Sequence, residues 1–274
     1  MTITTASFLQ NKFINVTLRY YNLDYFPLPP YLALYTTDPT EDDVGTEISG
    51  NGYARVEYTV TSATNGSAYN SSVLAFPKAT GSWGNFDYIG IRSGSEAGEN
   101  TGNLLFFGQL SSTATVNEND VLVIPAGGVK VSLGGAYRPY LAEELLEFVL
   151  FNSTPRTGGP NFGVQKYAAL FSAIPPAEGE SWEGGTTYEL SAPGYSRVNA
   201  GNWTAPESGS STNISTITFT VSAPSDWGDV KAVGLSDSAT ADTFFYITLL
   251  SASRTILSGD AFRIESGSLV VSLS

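Results

Sequence analysis

The chain contains no cysteine and no histidine. Without cysteine there is no disulfide and no thiol nucleophile. Without histidine the commonest general base and the commonest transition-metal ligand are missing. Stability must therefore come from packing or assembly, and no cofactor is expected. Charge is scarce as well: only 14% of the 274 residues are charged, well under the usual quarter. What charge there is leans one way, 13 Lys+Arg against 26 Asp+Glu, a net −13. A chain this acidic, with no basic run, is a poor partner for nucleic acid, which is gripped through clustered Lys and Arg. No apolar run approaches the length of a membrane span, so no membrane partner is expected. The start, MTITTASFLQNKFINV, lacks a basic stretch followed by a clean apolar one and is read as carrying no signal peptide.

What is abundant points to strands and turns. There are 28 Gly, 15 Tyr and 15 Phe, and the polar surface has to be built from Ser, Thr, Asn and Gly. The more informative feature is repetition. SWGNFDYIGI at 82–91 is answered by DWGDVKAVGL at 226–235. YLALYTT (31–37) is answered by YAALFSA (167–173), and GYARV (52–56) by GYSRV (194–198). NLLFFGQLSSTATVNEND (103–120) is answered by TFFYITLLSASRTILSGD (243–260), and VKVSL (129–133) by LVVSL (269–273). The order is the same in both halves and the spacing drifts by only a few residues, as small loop insertions would produce. This is a tandem duplication, with copies too long and too few for a solenoid.

Each copy opens on a helix-like stretch. Leu9, Phe13 and Val16 share one helical face in the first. Leu141, Leu145, Phe148 and Val149 share one in the second, where Pro139 suits the first turn and Glu143 and Glu144 suit the positive end of the helix. Short strand-like runs follow, punctuated by Gly and Pro. The spacing predicts a mainly β chain of two tandem antiparallel β-sandwich domains, each preceded by a short α-helix, over residues 1–134 and 135–274. The out-of-phase run Tyr53, Val56, Tyr58, Val60 predicts a strand with a bulge near Arg55.

Four residues stand out as structural or assembly candidates. Trp83 and Trp227 each precede a Gly at a strand start. They could form a sugar platform or a contact point, but recurrence in both copies favours a ring plugging the sandwich, because sister domains share core before they share ligands. Arg55 and Arg197 recur in the GY-A/S-R-V blocks. A fork to a carboxylate or to backbone carbonyls is the preferred reading, a contact to an acidic neighbouring subunit the other. Asp38, Glu41, Asp42 and Asp43 could offer oxygen ligands to Ca²⁺, but their spacing fits no EF-hand, so a solvated loop is expected and no metal. Asp120 and Asp260 recur in turn-like sequence and read as caps on backbone N–H groups. The Asn-x-Ser/Thr triplets at Asn15, Asn70, Asn152, Asn202 and Asn213 read as chance in a Ser/Thr-rich chain. No phosphate loop, dinucleotide fingerprint or nucleophile elbow stands out, and no enzymatic activity is expected.

Four blocks of the first copy carry a resemblance. They are Tyr31–Thr36, Glu47–Arg55 (EISGNGYAR), Phe76–Gly84 (FPKATGSWG) and Gly102–Gly108 (GNLLFFG). In this order they resemble a widespread family of small structural proteins of tailed-phage virions, over residues 8–133. The second copy keeps Gly194-Tyr195-Ser196-Arg197 and Trp227-Gly228 but has lost the Phe-Pro-x-Ala block. The resemblance implies a non-enzymatic virion component, assembled in the bacterial cytoplasm, whose partners are other virion proteins. With no heptads or repetitive stem in the sequence, a capsid decoration (cement) protein on the major capsid protein is the expectation, with possible self-association. A tail, baseplate or fibre-attachment component is the alternative. A carbohydrate-binding module comes next, and a glycan hydrolase would need two facing carboxylates that nothing singles out.

Overall fold

A computed structural model of the chain describes residues 3–18, 29–64, 66–97, 102–133, 145–146, 165–173, 188–220, 226–240 and 244–273. The first half holds β1 (Ile3–Thr5), α1 (Ser7–Leu18), β2 (Tyr31–Tyr35), β3 (Val56–Glu57), β4 (Ser67–Tyr69), β5 (Leu74–Ala75), β6 (Gly84–Arg92), β7 (Leu104–Val116), β8 (Val123–Ile124) and β9 (Lys130–Ser132). The second holds β10 (Tyr167–Phe171), β11 (Val198–Asn199), β12 (Ser210–Thr212), β13 (Ile217–Thr220), β14 (Gly228–Ser236), β15 (Phe244–Ile256), β16 (Ala261–Ile264) and β17 (Val270–Ser272).

From β2 onward the described strands of the two halves match one for one. An antiparallel sheet ordered β1-β7-β6-β2-β3 is answered by β11-β10-β14-β15. The ribbons β4-β9 and β5-β8 are answered by β12-β17 and β13-β16. Even the irregularities coincide. The ladder slips between Phe86 and Tyr88 in one long hairpin and between Val230 and Ala232 in the other. Each large sheet turns one face to its ribbons: Leu32, Leu34, Ile89 and Ile91 pack with Ala68, Leu74 and Val131, and their counterparts do the same. This is the β-sandwich pattern that the alternating runs predict.

Sequence and structure differ in detail. The strand expected over Tyr53–Val60 shrinks to Val56–Glu57: the Tyr53 N–H closes a turn onto the Gly50 carbonyl at 2.8 Å, and the Tyr53 and Arg55 side chains are held in a polar cluster. No bulge forms at Arg55; the ladder slips lie in the long hairpins instead. β4 and β12 are short Ser-rich strands without an apolar signal. Among the described side chains of α1, Leu9, Gln10, Phe13 and Ile14 are buried; that of Val16 lies outside them. The helix expected near 139–150 falls mostly outside the described residues, as does the 134/135 boundary. Leu145 and Leu146 are helical and fully buried.

One pair of glycines positions the outer face of each large sheet. A Cβ on Gly90 would stand 2.7 Å from the Tyr35 ring and 2.8 Å from Leu104. One on Gly234 would stand 2.7 Å from the Phe171 ring. Only the bare backbone lets these rings lie flat across the neighbouring strand.

Candidate functional site

Arg55 and Arg197 occupy the same place in the two sandwiches. Arg55 Nε donates to Glu47 Oε1 at 2.8 Å and Nη2 to Glu47 Oε2 at 2.6 Å, while Nη1 donates to the Gly94 carbonyl at 2.8 Å. Arg197 makes the same fork to Glu189, at 2.9 and 2.7 Å, and gives Nη1 to the Ser238 carbonyl at 2.8 Å. Both ion pairs are buried. A tyrosine completes each cluster. The Tyr53 hydroxyl donates to Glu47 Oε1 at 3.1 Å and accepts the Leu34 N–H at 2.9 Å. The Tyr195 hydroxyl does likewise with Glu189 and the Leu170 N–H, both at 2.9 Å. Burial, and then the neighbouring carboxylate, push both phenols far above their ordinary range, so each stays protonated and donates to its glutamate.

The cluster is chemically closed. Each carboxylate oxygen is held by the guanidinium fork, and the tyrosine proton is committed to the carboxylate. Such a bidentate, charge-assisted arrangement positions backbone and has no group free to attack or to take up a proton. Glu47 and Glu189 were not among the sequence candidates. The signal was present: EISGNGYARV and ELSAPGYSRV extend the repeated block back to a shared Glu, Glu47 and Glu189.

Trp83 and Trp227 are 7% and 5% exposed. Trp83 Nε1 donates to the Asn51 carbonyl at 2.9 Å, and Trp227 Nε1 to the Pro193 carbonyl at 3.3 Å. Each ring meets its cluster tyrosine edge-on, with centroids 5.3 Å apart for Tyr53 and 5.4 Å for Tyr195. Phe76 and Phe219 stack on those tyrosines, and Phe76 also meets the Trp83 ring edge-on. Neither indole offers a free face for a sugar. The following residues, Gly84 and Gly228, both have φ of 78°, a left-handed turn into the strand that glycine adopts without strain.

The remaining sequence candidates also fall into structural roles. Asp43 forks onto Arg92 at 2.6 and 2.7 Å, and Arg92 also donates to the Tyr35 hydroxyl and the Gly102 carbonyl. Asp38 caps the Thr40 N–H. Among the described residues no cluster of acidic side chains could hold a metal ion. Asp120 and Asp260 cap the backbone N–H of Asn117 and Leu257. Two of the glycosylation-like triplets have a physical reason to recur. Asn70 and Asn213 are buried, and each side chain satisfies two carbonyls and one N–H from strand ends: Ser72, Pro125 and Val129 in one copy, Ser215, Glu265 and Leu269 in the other.

The duplication of fold and cluster is matched by comparison with known families. The family model described as podophage GP4 fiber I protein gp80 matches this chain twice, over residues 4–132 and 138–272. The chain belongs to the Gp80 family. It is thus a structural protein of a phage virion, duplicated in tandem, and its partners are other virion proteins. No curated protein matches it. The second match matters most, because the Gp80 pattern extends over a copy in which the Phe-Pro-x-Ala block is gone.

Proposed function

We propose that this chain is a non-enzymatic building block of the fibre apparatus of a phage, contributing rigid paired sandwiches rather than chemistry. The observation that carries the reading is the double family match, with fibre in the family's description. Closed Glu–Tyr–Arg clusters in both copies support it, because the side chains that recur serve to hold backbone. Arg55, Arg197, Trp83 and Trp227 act inside the domains in this reading, not at contacts with other subunits.

A second reading, decoration of the head shell on the major capsid protein, is favoured by one feature. The described residues form two sandwiches with no heptad or repetitive stem among them, whereas an extended fibre shaft is built from such repeats. Mass spectrometry of separated heads and tails tests both. Recovery with the tail and fibre fraction supports the first reading, and recovery with the shell overturns it in favour of the second.

A further inference from the structure

The helix of the first copy is bonded to a turn of the second. Asn11 Oδ1 accepts the N–H of Gly209, and Gln10 lies beside it, fully buried. Gly209 sits in the two-residue turn between Glu207 and Ser210, which bond each other's backbone both ways. The hold of α1 on its own copy is of another kind. The strand just before it, β1, is laddered onto β7, and the Ala6 N–H continues that ladder to the Leu105 carbonyl.

Both sides of the joint between helix and turn carry a local cost. On the helix side, Gln10 Nε2 donates to the Thr5 carbonyl at 2.8 Å, which fixes the amide and turns Oε1 toward Gly209. That oxygen is buried and has no hydrogen-bond partner. A buried acceptor left unpaired weakens the contact that buries it, because water satisfies it once the contact opens. On the turn side, Ser208 has φ of 45° and Gly209 φ of 70°. Two successive residues at positive φ make a turn that suits Asn-Gly, and serine is strained in it. The sister positions carry neither cost in their sequence. In the spacing that sets Tyr31 on Tyr167, Leu9 and Gln10 fall on Leu145 and Leu146, which are also helical and fully buried. The matching turn, between Thr64 and Ser67, has Asn65-Gly66 in the sequence.

We propose that the contact between α1 and the Glu207–Ser210 turn is a latch that opens in the folded protein. α1 stays with β1 and β7 while the turn moves off it. Opening hydrates Gln10 Oε1 and relaxes the turn, and closing restores the Asn11–Gly209 bond. Closed, the latch couples the copies; open, it lets the second sandwich tilt against the first. A virion subunit built this way has an adjustable joint with which to meet its neighbours. The inference holds whether the protein sits on a fibre or on the shell.

Hydrogen exchange on the purified full chain, read by NMR, tests it. The reporters are the Gly209 N–H and the Gln10 side-chain amide, both buried and on opposite sides of the joint. One opening exposes both, so they should show the same protection. That protection should be at least about tenfold lower than in the middle of β14, a strand paired on both sides that exchanges only by wider unfolding. Asn11→Ala removes the bond to Gly209 and should lower protection at both reporters by about tenfold. The Gln10 amide is not bonded to Asn11, so its response reports the opening rather than the lost bond. Asn11→Asp offers a charged acceptor and should raise protection at both, an effect that disappears below about pH 4 as the carboxylate takes up its proton. Reporters that exchange no faster than β14 overturn the proposal. So does a Gly209 that exchanges without Gln10, or an Asn11→Ala variant in which Gly209 alone responds.

Discussion

The indole of Trp83 does two jobs that a smaller side chain would leave undone. It fills the end of the sandwich against Tyr53 and Phe76, and its N–H satisfies the Asn51 carbonyl. Trp83→Ala therefore opens a cavity and frees a carbonyl, and should lower stability by about 3–5 kcal/mol in denaturant titration. Lys166 makes a different kind of prediction. Its side chain is buried, with Nζ 4.7 Å from the Phe245 ring centroid, and burial pulls its pKa down from the ordinary 10.5 to about 8, against the opposing pull of Asp237. Between those two values the unfolded chain binds more protons than the folded one, so stability rises as pH rises from about 8 towards 10.5. The shift is worth roughly 3 kcal/mol at most. The tyrosines act in the opposite sense. Burial raises the Tyr35 phenol to about 12, so its contribution is complete below pH 10 and is lost as pH climbs above it. Denaturation midpoints should therefore increase from about pH 8 to about 10 and then fall. Lys166→Met should flatten the rise while leaving the fall. A wild type with no rise would show that the ammonium is solvated.

At the scale of elements, the Glu–Tyr–Arg cluster acts as a clamp. It ties β2, through the Leu34 N–H, to the segment that carries Arg55 and to the turn at Gly94. Glu47→Ala would leave the Arg55 guanidinium buried without its counter-charge, at an expected cost of about 3–5 kcal/mol by urea titration. Glu47→Gln keeps the shape and one acceptor oxygen and should cost visibly less. How far the clamp could be read from sequence follows from what makes it. Arg55 and Arg197 announced themselves by recurring in a chain poor in arginine, and the Tyr beside each was part of the same block. The Glu partners were harder to single out, because each lies across a turn from its Arg and acids outnumber basic residues by 26 to 13. The long strands were legible from their apolar runs. Ser67–Tyr69 and Ser210–Thr212 were not, since these strands owe their place to pairing with β9 and β17 rather than to their own composition. The roles of Asn70 and Asn213 were hidden for a related reason: an asparagine that satisfies backbone groups more than fifty residues away leaves only a local triplet in the sequence.

For the whole molecule the question is whether two copies behave as two bodies. The main cluster of buried apolar residues runs through both halves, from Leu9 to Leu273, with two smaller clusters around Tyr35 and Phe171. The helix of the first copy supplies the link. Leu9, Phe13 and Ile14 are buried in that cluster, and Asn11 Oδ1 accepts the N–H of Gly209, at the start of the second copy's β12, at 3.0 Å. The approach is as close as the backbone permits. Gly209 has φ of 70°, and a Cβ there would stand 2.0 Å from Gln10 Oε1 and 2.8 Å from the Leu273 carbonyl. A continuous core of this kind couples the halves, so calorimetry on the wild type should show one cooperative transition. Gly209→Ala forces the helix away from the β12-β17 ribbon and adds backbone strain, together about 1–3 kcal/mol. The expected result is two resolved transitions, with the second copy melting first because it loses the cover that α1 gives it. Two transitions already present in the wild type would mean that the halves are joined by contact alone and that the helix is not the coupling element.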